Sequence, residues 1–431
     1  MSADTVSRSF PPVLKPIDDF TFRHVETGSL DNGVPVYVLN GGVQEVVKLE
    51  LIFRNPAFNI QRPLLFMATN RLMGEGTSMH NAQQLAEMVD YYGAYYETEQ
   101  TADYCSVVLH TLTKHFGSTL PVIHEIIMDA AFPEKELSVY SQNNKQRLTV
   151  ENEKVGSVAR RKFSEIIFGP EHSYGYFVKP DDYDGLTRDV LLSFQRSHYS
   201  GSHCSILISG NVTDEIFRIL NTVFGRQEWM KSNGEETHGS GFHSSSKKIN
   251  YIEKENAIQS AIRIGKPLFN KTNPDYASVQ VLNTLLGGYF GSRLMKNIRE
   301  DKGFTYGIGS AVVSMLQGGY FFIASEVGSD VCAPALEEIY KEIELLRTEP
   351  VPEVELQMVK NYMLGAFLKS IDGAFHLADR WKGIMFYNLG YDYYEKYIER
   401  VKTVTSDDIM RLAGEHFQRD SFYELVVGKK Q

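Results

Sequence analysis

Residues 285–310 read LLGGYFGSRLMKNIREDKGFTYGIGS. Gly287, Gly288 and Gly291 make a pliant loop in front of a short helix. Arg299 falls near the end of that helix, Gly303 can supply a turn with positive φ, and Tyr306 begins a strand. An arginine and a tyrosine seven residues apart across a helix, a turn and a strand can converge on one point. The pair offers a permanent charge with a donor fork and a hydroxyl donor, which suits a peptide carbonyl or a developing oxyanion. The same spacing also fits a helix-end arginine in a salt bridge and a half-buried strand tyrosine.

The segment has an echo earlier in the chain. Gly303-Phe304-Thr305-Tyr306 resembles Gly93-Ala94-Tyr95-Tyr96, 210 positions before it. Pro352-Glu353-Val354-Glu355-Leu356 resembles Pro133-Glu134-Lys135-Glu136-Leu137, His416-Phe417 resembles His198-Tyr199, and the closing run 423–428 resembles 205–210. These matches keep their order at nearly one offset, so the chain duplicates a unit of roughly 210 residues rather than forming a short-period solenoid. Residues 231–248, KSNGEETHGSGFHSSSKK, contain almost nothing apolar and read as a flexible linker. The expected domains are therefore 1–230 and 249–431.

Each half reads as strands, helices, strands, helices and a last strand. Val47, Leu49, Leu51 and Phe53 alternate with polar neighbours, as in a half-buried strand. Asn40-Gly41-Gly42 can turn a hairpin between 36–39 and that strand. A second hairpin joins 95–100 to 104–110. The expected class is α+β: two duplicated domains, each a mostly antiparallel sheet with helices on one face.

The 431 residues are 42% hydrophobic and 23% charged, with a net charge of −10. That balance is globular, and its acidic sign argues against nucleic acid as a partner. Three distant cysteines, Cys105, Cys204 and Cys332, exclude a disulfide framework and a four-cysteine zinc site. No apolar run reaches membrane-spanning length, and the first 30 residues lack the apolar core of a signal peptide. The expected location is cytoplasmic, although the cysteine usage fits the periplasm equally.

Metal-ligand spacing is also missing. No H-x-x-E-H string of either orientation occurs, and His124-Glu125-Ile126-Ile127-Met128 lacks the final histidine. The pairs His110/His115, His198/His203 and His238/His243 are five apart and share neither a helix face nor a strand face. No metal is expected in this chain.

The duplicated unit, the 285–310 segment and the Met73-Gly74-Glu75-Gly76-Thr77 segment together resemble the pitrilysin/insulinase-like zinc peptidases. The resemblance covers nearly the whole chain. It implies that Arg299 and Tyr306 are the substrate-binding pair, and that Gly287, Gly288 and Gly291 lie where a non-catalytic subunit carries its flexible glycine loop. Active members hold zinc with an inverted H-x-x-E-H helix just before a Gly-Thr. Counted back from Gly76-Thr77, those positions are Met67, Asn70 and Arg71. None can do the family's chemistry: methionine is a poor zinc ligand, a guanidinium repels the ion and asparagine is no general base. The third ligand would fall near Glu151 or Glu153, and Arg71 is expected to pair with one of them.

The resemblance implies a non-catalytic, substrate-binding subunit of a heterodimeric zinc peptidase. The zinc would sit in a paralogous partner carrying H-x-x-E-H, and the substrate would be a peptide. The alternative is a structural or peptide-binding homodimer of the same fold with no part in proteolysis.

Overall fold

The computed structural model describes residues 23–56, 58–230 and 241–429. Residues 231–240 of the expected linker, including His238, lie outside the described residues. The first half contains β1 (Glu26–Ser29), β2 (Pro35–Asn40), β3 (Val46–Arg54), α1 (Leu65–Leu72), α2 (Ala82–Asp90), β4 (Tyr95–Gln100) and β5 (Tyr104–Leu112). It continues with α3 (Phe116–Met128), α4 (Glu134–Glu153), α5 (Val155–Phe168), α6 (Arg188–His198), β6 (Cys204–Gly210) and α7 (Asp214–Phe224). The second half contains β7 (Ile249–Glu253), β8 (Gln259–Leu268), α8 (Tyr276–Asn283), β9 (Thr305–Met315) and β10 (Gly318–Gly328). It closes with α9 (Cys332–Thr348), α10 (Glu353–Lys369), α11 (Gly373–Met385), α12 (Asp392–Thr403), α13 (Ser406–His416) and β11 (Tyr423–Gly428).

The two sheets repeat one topology. The first has the order β1-β2-β6-β3-β5-β4 and the second β7-β11-β8-β10-β9. Each is antiparallel except for one pair, β2 with β6 and β7 with β11, which place equivalent strands in parallel. The α+β reading and the internal duplication therefore stand. The hairpin expected at Asn40-Gly41-Gly42 does not form. β6 lies between β2 and β3, so the closing strand of the half takes the ladder bonds that a hairpin would have used. The second hairpin is present, with Tyr95 opposite His110.

Each half's own helices cover one face of its sheet, and the other face is covered by a helix lent by the other half. Ala159, Phe163, Ile166 and Ile167 of α5 recur at helical spacing and pack on Ala261, Leu425 and Val427 of the second sheet. Leu377, Ala378, Trp381 and Ile384 of α11, the repeat counterpart of α5, join the cluster that holds Leu39, Ile52 and Leu207 of the first sheet. The exchange explains β3. Val47, Leu49, Leu51 and Phe53 face the first half's own helices. Their neighbours Lys48, Glu50 and Ile52 point the other way, and they are buried beneath α11 rather than solvated.

Candidate functional site

Helix α1 carries Met67, Asn70 and Arg71, the positions counted back from Gly76-Thr77. Asn70 is 1% exposed, and its amide is fully committed. Nδ2 donates to the carbonyls of Glu99 (3.0 Å) and Ser106 (3.4 Å), and Oδ1 accepts from the Tyr199 hydroxyl at 3.3 Å. The residue ties α1 to the β4–β5 hairpin and to the end of α6. Met67 is partly buried. Arg71 is exposed, and its Nη1 lies 3.6 Å from Glu75 one turn on. A thioether, an amide turned onto backbone carbonyls and a guanidinium do not fit a zinc ion.

The pairing expected between Arg71 and Glu151 or Glu153 is not found. Glu151 accepts from Ser157 and, at 3.0 Å, from Lys154. Glu153 lies 3.8 Å from Lys254 of the second half. On α4 it is Arg147, one turn before Glu151, that shares with Arg71 the field around Tyr140.

The second half presents the other candidate group. Helix α8 runs on through a wide π turn at Thr284–Gly288, and a second π segment spans Met295–Asp301. Gly287 and Gly288 therefore close a helix rather than hang in a free loop. A Cβ on Gly287 would lie 2.6 Å from Ser310 Oγ of β9, and one on Gly288 would lie 3.1 Å from Asn283 Nδ2. Glycine serves close approach at both positions. At Gly291 a Cβ would meet the Tyr289 ring at 2.8 Å. Between these glycines Phe290 stands 64% exposed.

The Arg299 guanidinium lies 4.6 Å over the Phe290 ring, with Nη1 3.8 Å from Glu300. Gly303 turns the chain at φ +66°, and Phe304 tucks its ring against the core. Tyr306 follows on β9, an edge strand, and is 94% exposed. The tyrosine is not half-buried in the way a packed strand residue would be. Tyr306 and the outer edge of β9 lie on one strand, which suits an extended chain laid along that edge.

Sequence reading missed two polar clusters because both depend on distant segments. Lys48 Nζ lies 2.8 Å from Glu50 and 2.9 Å from Asp379, and Lys382 Nζ lies 2.5 Å from Glu50 and 3.1 Å from Glu99. Burial opposes the charge on both lysines, but Glu50 and the outer carboxylates outweigh it and raise both pKa values. Among the described residues Asp275, Glu415 and His416 also bring ligand atoms within 4.8 Å of one another. Arg411 already donates to both Glu415 oxygens at 3.0 Å and lies 3.7 Å from Asp275, so the two carboxylates share one guanidinium. The stacked rings of His198 and His203, 4.5 Å apart, spend their nitrogens on the Arg54 carbonyl and on Ser200.

Residues 185–363 match the family model described as the peptidase M16 inactive domain. A Bacillus subtilis protein named uncharacterized zinc protease YmxG is 23% identical over 300 residues, covering 69% of this chain and 72% of that one. The probable inactive metalloprotease YmfF of the same organism is 22% identical over 301 residues, 68% of each chain. The crystal structure of a peptidase M16 inactive domain from Pseudomonas fluorescens superposes with a TM-score of 0.83 at 20% identity, covering 94% of this chain and 98% of that one. These matches bear out the resemblance to the pitrilysin/insulinase-like peptidases and the fold it implied.

Proposed function

We propose that this M16-like, inactive peptidase chain is the substrate-binding subunit of a two-chain zinc peptidase. Its paralogous partner carries the H-x-x-E-H helix and the zinc, and the two chains close around a peptide. The observation that carries the reading is a division of parts. The zinc-motif positions are occupied by Met67, a structurally committed Asn70 and the cation Arg71. Tyr306 stands open on an edge strand seven residues after Arg299. In the closed pair Arg299 and Tyr306 donate to the substrate carbonyl beside the scissile bond, and the substrate backbone extends along a sheet edge.

The test is reconstitution with the zinc-bearing paralogue. Arg299→Ala and Tyr306→Phe should each lower kcat/KM for a peptide substrate by ~10²–10³-fold, about 2.7–4 kcal/mol, with assembly of the pair unchanged. Full activity in the Arg299→Ala pair would leave the chain a scaffold only.

A further inference from the structure

A cavity of about 1150 Å³ opens where the two halves meet. The end of α4 and the start of α5 form part of its wall, and the turn between β7 and β8, with Arg263 and Glu326 of the second sheet, forms the rest. Among its cations, Lys154 lies 3.0 Å from Glu151, while Lys254 donates to the Asn152 carbonyl at 2.9 Å and lies 3.8 Å from Glu153. The guanidiniums of Arg160 and Arg263 make neither a hydrogen bond nor an ion pair among the described residues, and Arg263 Nε is buried without a partner. Burial depresses the Arg263 pKa, Glu326 offsets this in part and Arg160 adds to it. A partly desolvated guanidinium beside a second cation, with neither paired, is stabilised by an anion that reaches both.

The start of α5 adds to this field. Lys154 gives the helix no side-chain cap, and its first residues, Val155 to Ser157, line the same cavity. The chain already brings one carboxylate to this turn: a Cβ on Gly156 would collide with Glu326 Oε1. Five carboxylates in all, of Glu151, Glu153, Glu253, Glu255 and Glu326, line the cavity against four cations; they disfavour a polyanion and limit the ligand to a single carboxylate held at Arg160 and Arg263. The Thr305 hydroxyl, beside Tyr306, donates to the Glu326 carbonyl at 2.7 Å, which places the cavity next to the strand that carries the tyrosine.

We infer that this cavity receives a carboxylate of the bound peptide, with Arg160 and Arg263 as its donors. The assignment rests on the peptide-binding reading above and deepens it: the preferred substrates are peptides with a carboxylate spaced to reach the cavity. That carboxylate belongs either to the peptide's C-terminus or to an Asp or Glu side chain.

Titration calorimetry of the full chain with four versions of one short unstructured peptide tests this. The versions are a peptide with one glutamate, its C-terminal amide, its Glu-to-Gln form and the doubly neutral form. Removing one of the two carboxylates should weaken binding at least about tenfold, and which one does so identifies the source. The preference should vanish in Arg160→Gln and in Arg263→Gln, and should persist at lower overall affinity in Arg299→Ala. Equal affinity for all four peptides overturns the inference. So does an unchanged preference in Arg160→Gln, an exposed position that tolerates substitution. A preference that vanishes in both glutamine variants while Arg299→Ala binds normally keeps the cavity and removes Arg299 from peptide binding. No binding of any version overturns both readings.

Discussion

Asn70, where the resemblance leads one to expect a catalytic glutamate, uses its amide to hold three segments together. Re-creating the motif residue should therefore harm this chain. Asn70→Glu places a carboxylate among two carbonyl acceptors, and Asn70→Ala leaves the buried Tyr199 hydroxyl without its acceptor. Each should lower stability by about 1–3 kcal/mol or more in urea denaturation, with no zinc bound in return. His198 gives a second prediction at this scale. Burial, partly offset by the bond to the Arg54 carbonyl, lowers its pKa to about 4. The unfolded chain takes up that proton near pH 6.5 and the folded chain only near 4. Stability should fall as the pH drops from 6.5 towards 4, by up to ~3 kcal/mol from this one group. In His198→Gln the slope of stability against pH across that window should be shallower.

Among the elements, the glycine-bearing helix is the one whose reading changed most. A run containing Gly287, Gly288 and Gly291 looks pliant in sequence, because glycine costs backbone entropy and signals loops. Two of these glycines are helical, and Gly287 is pressed on β9. Their role depends on what lies opposite them, which local sequence does not report. Gly287→Ala must push Ser310 away and should cost about 1–3 kcal/mol, read from the urea midpoint. Because Ser310 is four residues from Tyr306 on one strand, peptide affinity should fall with it. Helix α4 teaches a related lesson. Of its twenty residues only Leu137 is buried, and Glu151 bonds Ser157 and Lys154 rather than Arg71.

For the whole molecule, the exchange of α5 and α11 makes the two halves depend on each other. At its centre Glu50, 1% exposed, is shared by Lys48 of its own strand and Lys382 of the lent helix. Removing that one charge leaves two buried ammonium groups without their common partner. Glu50→Gln should cost about 3–5 kcal/mol, and amide exchange along α11 should rise before the rest of the chain opens. The same network draws Asp379 of the lent helix to Lys48 and Glu99 of the first sheet to Lys382.

The sequence by itself determined the duplicated α+β plan and the β4–β5 hairpin, and it put residue types at Met67, Asn70 and Arg71 that do not suit a zinc ion. These rest on residue type, on period and on short-range spacing. Tertiary structure decided the rest. It placed β6 between β2 and β3, sent α5 and α11 to the opposite sheets, buried Lys48 and Glu50 beneath a helix more than 300 residues away in the chain, and left Arg160 and Arg263 facing one cavity. The physical reason is common to all four. A polar residue on a strand or helix reads as solvated until a distant segment removes the water, and only the packed chain shows which partner replaces it.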